Sequence, residues 1–259
     1  MAKASKPPKT PPAVKKSSAL AGLILPALLV GVVAVSYWIK TRPPAALPSS
    51  EESAEALLKR GIEAHGAGAL DQALDLYRRA LARDPAHAAA HYNIAQILND
   101  RGSYAEAEAE YRAALKAKPD FLDARLNLGV VQYREKQFRA AAETFREVLK
   151  TSPRHAQALF DLGISIYELG ETDQAIQRLN DSLSENPKQP AAHYYIGLSE
   201  RRAGRQAQAR AAFERAVAVD RNYAPAYFEL ARTYRALGES RRAEEAEAKA
   251  AELAAKAQK

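Results

Sequence analysis

Two hydrophobic patterns divide the chain. The first is continuous: from Ala19 to Ile39 no side chain carries a charge. As a helix this run would be about 31 Å long, which matches the hydrocarbon core of a bilayer. Pro26, Gly22 and Gly31 are tolerated in such helices. Tyr37 and Trp38 close the run, where amphipathic aromatics favour the membrane interface. A transmembrane helix over 19–39 is therefore expected. Ala34-Val35-Ser36 has the small-residue spacing of a cleaved signal peptide, but the apolar run continues past it, beyond a usual signal core. Residues 1–18 are rich in Lys, Pro and Ser and are expected to be a disordered tail. Residues 40–53, with Pro43, Pro44 and Pro48, read as a short stiff linker. Ser49 followed by Glu52 predicts a capping box ahead of the next helix.

The second pattern is periodic. From residue 54 onward the chain repeats every 34 residues without insertion, in blocks 54–87, 88–121, 122–155, 156–189, 190–223 and 224–257. The scarce residues reveal the register. Six prolines follow residue 50; Pro85, Pro119, Pro153 and Pro187 share the thirty-second place of their blocks, and Pro190 and Pro225 open the first helix of theirs, where a missing N–H costs nothing. Of the ten glycines after residue 50, nine fill two places. Gly61, Gly129, Gly163 and Gly197 stand eighth, with Ala95 and Ala231 in the other blocks; Gly68, Gly102, Gly170, Gly204 and Gly238 stand fifteenth. The twentieth residue is always alanine, and the twenty-fourth is Tyr77, Tyr111, Phe145, Leu179, Phe213 or Glu247.

Each place has a physical reason. A small eighth residue lets the first helix approach its partner closely, and the twentieth alanine is expected to face it. The fifteenth residue ends the first helix in a left-handed cap that glycine accepts, and proline stops the second helix. Helices of about 12–14 residues are marginal alone, so each hairpin requires its neighbours.

In this register the sequence resembles the tetratricopeptide repeat family, whose period is 34 with small, aromatic and proline positions in this order. Ile94-Ala95, Leu128-Gly129, Leu162-Gly163 and Ile196-Gly197 carry the likeness, which covers residues 54–257. It implies an all-α fold: a right-handed superhelical solenoid of about six helix-turn-helix repeats over 54–259, preceded by the one transmembrane helix. Several residues depart from the pattern. Arg60 stands at an apolar seventh place, Gln132 and Glu200 at the eleventh, Lys136 at the turn glycine and Glu247 at the last aromatic. The stretch 241–259, rich in Ala, Glu and Lys, suits a terminal cap facing water.

The resemblance also implies that the first helices line an inner, concave face where protein or peptide segments bind. The fifth places offer Leu58, Tyr92, Leu126, Phe160, Tyr194 and Phe228; the ninth, Ile62, Val130, Ile164, Leu198 and Arg232, with Gln96 in block two; the twelfth, Tyr133, Tyr167, Arg201 and Arg235, with His65 and Asn99 in the first two blocks. This reads as an apolar, aromatic-studded trough ending in arginines that include Arg202 and Arg205, which either grip a carboxylate of a partner or pair with Glu200, Glu214 and Glu229 on a solvated face. Charging the trough, as in Phe160→Glu with Tyr194→Glu, is expected to abolish partner capture and leave the array folded. Asn93 and Asn127 match the sixth place of repeats that clamp chaperone C-termini, but no block has the lysine those repeats use at the fifth place. That clamp is missing.

Charge then separates the two regions. Seven of the 38 basic residues lie in 1–50 with no acid, which leaves 31 bases against 31 acids in the rest. A neutral repeat region lacks the basic surface of a nucleic-acid binder. Five lysines precede the apolar run and two bases follow it, so the positive-inside rule keeps the N-terminus cytoplasmic and exports the repeats, to the periplasm in a bacterium. The trailing pair, Lys40 and Arg42, weakens that bias. There is no cysteine, nucleophile elbow or phosphate loop. His87 and His91 straddle a turn, which makes a poor metal pair. The expectation is a non-enzymatic scaffold or assembly factor in the inner membrane, with protein or peptide partners and no cofactor, metal or small-molecule substrate. The alternatives are a cytoplasm-facing receptor or adaptor, or a regulatory subunit of an enzyme complex.

Overall fold

The structure, a computed structural model, describes residues 52–257. The expected span 19–39, the tail and most of the linker lie outside them. Among the described residues no helix is long and apolar enough to cross a membrane, and no strand occurs. Twelve helices follow one another: α1 (Ala54–Gly66), α2 (Leu70–Arg83), α3 (Ala88–Asp100), α4 (Tyr104–Ala117), α5 (Leu122–Arg134), α6 (Phe138–Thr151), α7 (Ala156–Glu168), α8 (Thr172–Glu185), α9 (Pro190–Arg202), α10 (Gln206–Val219), α11 (Ala224–Ala236) and α12 (Ser240–Ala257). Each packs on the next, and the first helices of consecutive blocks also touch, as α5 does α7 and α7 does α9. The array is thus an all-helical solenoid of about six helical hairpins.

The cap of α1 differs from the expected one. Ser53, with extended backbone, accepts the Ala56 N–H on its hydroxyl at 3.2 Å. It stands directly before the helix, where that oxygen reaches a free amide of the first turn.

The close approach inside each hairpin also differs in one detail. The twentieth alanines are all buried, yet the atoms nearest the eighth place belong to the twenty-fourth residue. A Cβ on Gly61 would lie 2.4 Å from the Tyr77 ring, one on Gly129 2.6 Å from Phe145, and one on Gly197 2.4 Å from Phe213. The ring fills the space that glycine leaves. These rings are themselves fully buried, so the pair is the central wedge of its hairpin.

All six turns inside the hairpins use a left-handed residue at the fifteenth place. The five glycines have φ between 76° and 84°, and Lys136 takes the same region at φ 61°. The amide after it bonds back to the carbonyl five residues earlier, as Ala69 does to Ala64 at 2.9 Å and Gln137 to Gln132 at 2.8 Å. This is the Schellman closure. At the other turn, the residue before proline is extended, as proline requires: Asp84 has φ −133°, ψ 92°. Asp220 adopts φ −135°, ψ 106° before Arg221 without proline, and its side chain accepts the Asn222 N–H at 2.9 Å.

The other departures are also absorbed locally. Gln132 is buried, accepting from the Thr144 hydroxyl at 2.7 Å and donating to Glu108 at 3.3 Å. Glu247 is paired with Arg235. In α12 only Ala243, Ala246 and Leu253 are buried; the rest faces solvent.

Candidate functional site

The fifth, ninth and twelfth places of the first helices form one face, but their side chains divide into three groups. Leu58, Phe160, Ile164 and Leu198 are buried and serve the core. Phe160 retains 9 % exposure within a cluster that includes Leu179 and Ile196. A glutamate there would be a buried charge, so the expectation that Phe160→Glu leaves the array folded is withdrawn. Tyr92, Leu126, Val130, Tyr133, Tyr167, Tyr194 and Arg201 are half-buried. Ile62 at 51 % and Phe228 at 58 % are exposed, in the first and last repeats respectively. Arg232 and Arg235 are exposed.

The half-buried group forms two ring assemblies. In the first, Tyr92 lies 4.8 Å from Phe121 and 5.9 Å from Tyr111 between ring centroids. Its hydroxyl accepts from Gln96 at 3.1 Å and from Asn127 of the next block at 3.2 Å. In the second, Tyr195 is the hub: Phe160 lies at 6.1 Å, Tyr167 at 5.7 Å and Tyr194 at 5.5 Å, all edge-on. Edge-to-face contact suits the ring quadrupoles. Tyr194 continues the assembly to Tyr223 at 5.7 Å. Burial raises the Tyr133 phenol, with Tyr195 and Glu168 adding to the effect. Burial likewise pushes Tyr194 up to about 12, with Glu229 adding to it.

Tyr195 and Tyr223 were missed in the sequence. Tyr195 stands at the sixth place, beside the Tyr194 of the chosen column, and the Tyr-Tyr pair was its only signal. A second omission shares that place one block earlier. Asp161 is 7 % exposed. Its Oδ1 accepts from Gln157 at 3.0 Å, whereas its Oδ2 is buried with no hydrogen-bond partner. Burial raises its carboxyl from 3.8 to about 6, against the opposing Gln157 bond. The signal was a single acid in the otherwise uncharged stretch Ala158–Tyr167.

Arg201, Arg202, Arg205, Arg232 and Arg235 of the last two blocks each have a partner within the chain. Arg201 pairs with Glu229, and Arg232 approaches the same carboxylate at 3.6 Å. Arg205 binds Glu200, and Asp173 at 2.7 Å. Arg202 donates to the Tyr167 carbonyl and lies over the Tyr167 ring at 3.9 Å. The expected partners Glu200 and Glu229 are thus engaged, and Glu214 accepts from the Tyr234 hydroxyl at 2.9 Å and lies 3.7 Å from Arg210. His87 and His91 each face an acid, Glu55 at 3.3 Å and Glu110 respectively. Among the described residues no group of three or more His, Asp or Glu side chains is placed to hold a metal ion.

Comparison with known families gives four overlapping matches. Residues 44–145 match the N-terminal tetratricopeptide repeats of the surface lipoprotein assembly modifier. Residues 132–195, 191–222 and 212–245 match three tetratricopeptide repeat families. A comparison with curated proteins finds no match. Among solved structures, YrrB, described as a tetratricopeptide protein with an unusual peptide-binding site, is 21% identical with TM-score 0.64, covering 70% of this chain and 93% of its own. MamA from Desulfovibrio magneticus RS-1 is 21% identical with TM-score 0.61, covering 65% and 96%. Pseudomonas aeruginosa pilF is 21% identical with TM-score 0.61, covering 74% and 88%. At these identities the likeness is one of fold. The 34-residue register, the left-handed turns, the ring wedged on glycine and the run of family matches from 44 to 245 agree: the chain belongs to the tetratricopeptide repeat family.

Proposed function

We propose that this chain is a membrane-anchored scaffold or assembly factor that holds a protein or peptide segment along the inner face of its first helices. The observation that carries the reading is the ring assembly on Tyr195, which keeps several aromatic side chains half-exposed and extends to Tyr223, while Phe228 of the fifth-place column is exposed in the last repeat. Rigid aromatic side chains give large contact area at low entropic cost. YrrB, of the same fold, is described as having a peptide-binding site, and the surface lipoprotein assembly modifier is named for an assembly role; both support a binding rather than a catalytic role. The apolar run 19–39 supplies the anchor, and the five lysines before it favour an array on the exported, periplasmic side of a bacterial inner membrane.

Two experiments test this. Tyr195→Ala with Phe228→Ala is expected to reduce the yield of co-purifying partner at least tenfold while helical content is retained; undiminished yield from the folded double variant would remove the inner face from the reading. A periplasm-active reporter fused after residue 259 is expected to be active. A silent periplasmic reporter with an active cytoplasmic one would reverse the topology, as Lys40 and Arg42 would favour.

A further inference from the structure

The inner face holds one feature that packing does not explain. Asp161 lies on α7 between Phe160 and Leu162, buried to 7 %, with one carboxylate oxygen lacking any partner. A buried carboxylate without a counter-charge is costly, and such costs persist chiefly where a site requires them.

The repeat register locates it. Asn127, at the sixth place of its block, reaches the fifth-place Tyr92 of the block before. Tyr195, again sixth, reaches the fifth-place Phe160 of the block before. Asp161 holds the intervening sixth place, so it belongs to the same row on the face now read as a groove. The ring assembly of Tyr195 and Tyr167 lies toward the next block. A second acid, Glu168, borders it at Tyr133 and Tyr167.

No cation of the array answers Asp161. Arg201 is held by Glu229, and Arg202 by the Tyr167 carbonyl. Only burial and the Gln157 bond act on the Asp161 carboxyl. Arg202 over the Tyr167 ring also shows that a face of this assembly takes a guanidinium within the chain.

We propose that the inner face at α7–α9 receives a lysine or arginine side chain of a partner protein segment, with the Asp161 carboxylate as its counter-ion and the Tyr195 assembly packing along its stem. This rests on the scaffold reading and adds the chemistry of the partner. It reverses the polarity drawn from the arginine-rich last blocks: those arginines are already paired, and the unpaired group is an acid.

The test uses the full chain in mild detergent against a displayed library of random ten-residue peptides, with Asp161→Asn in parallel. The expected result is that the wild-type chain enriches peptides with Lys or Arg at one fixed position. Replacing that residue by norleucine in a synthetic peptide then weakens binding roughly tenfold or more, the scale of close charge pairs across an interface. In Asp161→Asn, shown by circular dichroism to be folded, the same replacement should cost less than about threefold. Enriched peptides without a fixed cation, or an undiminished cation preference in Asp161→Asn, would overturn the counter-ion and leave the groove standing. No enrichment at all by the wild-type chain would overturn both.

Discussion

Asp161→Asn should stabilise the array at neutral pH by an amount that disappears in acid. The carboxyl titrates at about 6 when folded and at 3.8 ordinarily. The folded state therefore holds this proton more tightly than the unfolded state. As pH rises from about 4 to about 6 the folded state gives up a relative advantage, and above 6 the penalty for the buried charge is complete. At 1.36 kcal/mol per pH unit the gap corresponds to about 3 kcal/mol at pH 7. Asparagine keeps an oxygen for the Gln157 amide and carries no charge. Its own amide meets the unpartnered position of Oδ2 at every pH, so that cost cancels from the pH dependence. Urea unfolding of both chains between pH 3.5 and 7.5 gives the stability difference at each pH. That difference should move in favour of the Asp161→Asn chain by about 2–3 kcal/mol across the window, and carbon-13 titration of the Asp161 carboxyl should show a midpoint near 6. A pH-independent difference, or a carboxyl titrating near its ordinary value, would refute the buried, unpaired charge.

Lys136→Gly should raise stability by about 0.5–1 kcal/mol in urea unfolding, because φ 61° costs a side chain more than the added freedom of unfolded glycine takes away. Gly197→Ala should lower it by about 1–2 kcal/mol, since the new Cβ would lie 2.4 Å from the Phe213 ring and the gain in helix propensity only partly offsets the overpacking. Tyr77→Phe should be neutral or add up to about 1 kcal/mol: its hydroxyl is buried with no partner, and the same place already holds Phe145 and Phe213.

The solenoid could be read from the sequence because its constraints are backbone constraints. A left-handed turn selects glycine at Gly68 and Gly102, and an extended turn selects proline at Pro85, so both appear as columns in a single sequence. Lys136 shows that the turn outlasts the loss of its favoured residue: the Gln137–Gln132 bond closes it all the same. The site was less legible. Which fifth-place residues are core and which are surface depends on how far the next first helix overlaps them, and one column therefore contains both buried Phe160 and exposed Phe228. The roles of Tyr195 and Asp161 depend on how consecutive blocks meet, as in the Tyr195–Phe160 ring contact, which no local spacing marks. At the arginine-rich end the sequence left two readings, a grip on a partner's carboxylate or pairing within the chain, and the fold brings Glu200 to Arg205 and Glu229 to Arg201.

The central claim, that partners bind along the face carrying Tyr195 and Phe228, is tested most directly by photo-crosslinking in intact membranes. A photoreactive residue is placed singly at Tyr195 and at Phe228 on that face, and at the exposed positions Arg146 and Gln177 on the second helices. The account predicts one discrete crosslinked species shared by Tyr195 and Phe228 and absent from Arg146 and Gln177. Crosslinks of equal yield from all four positions, or from the second helices alone, would contradict it.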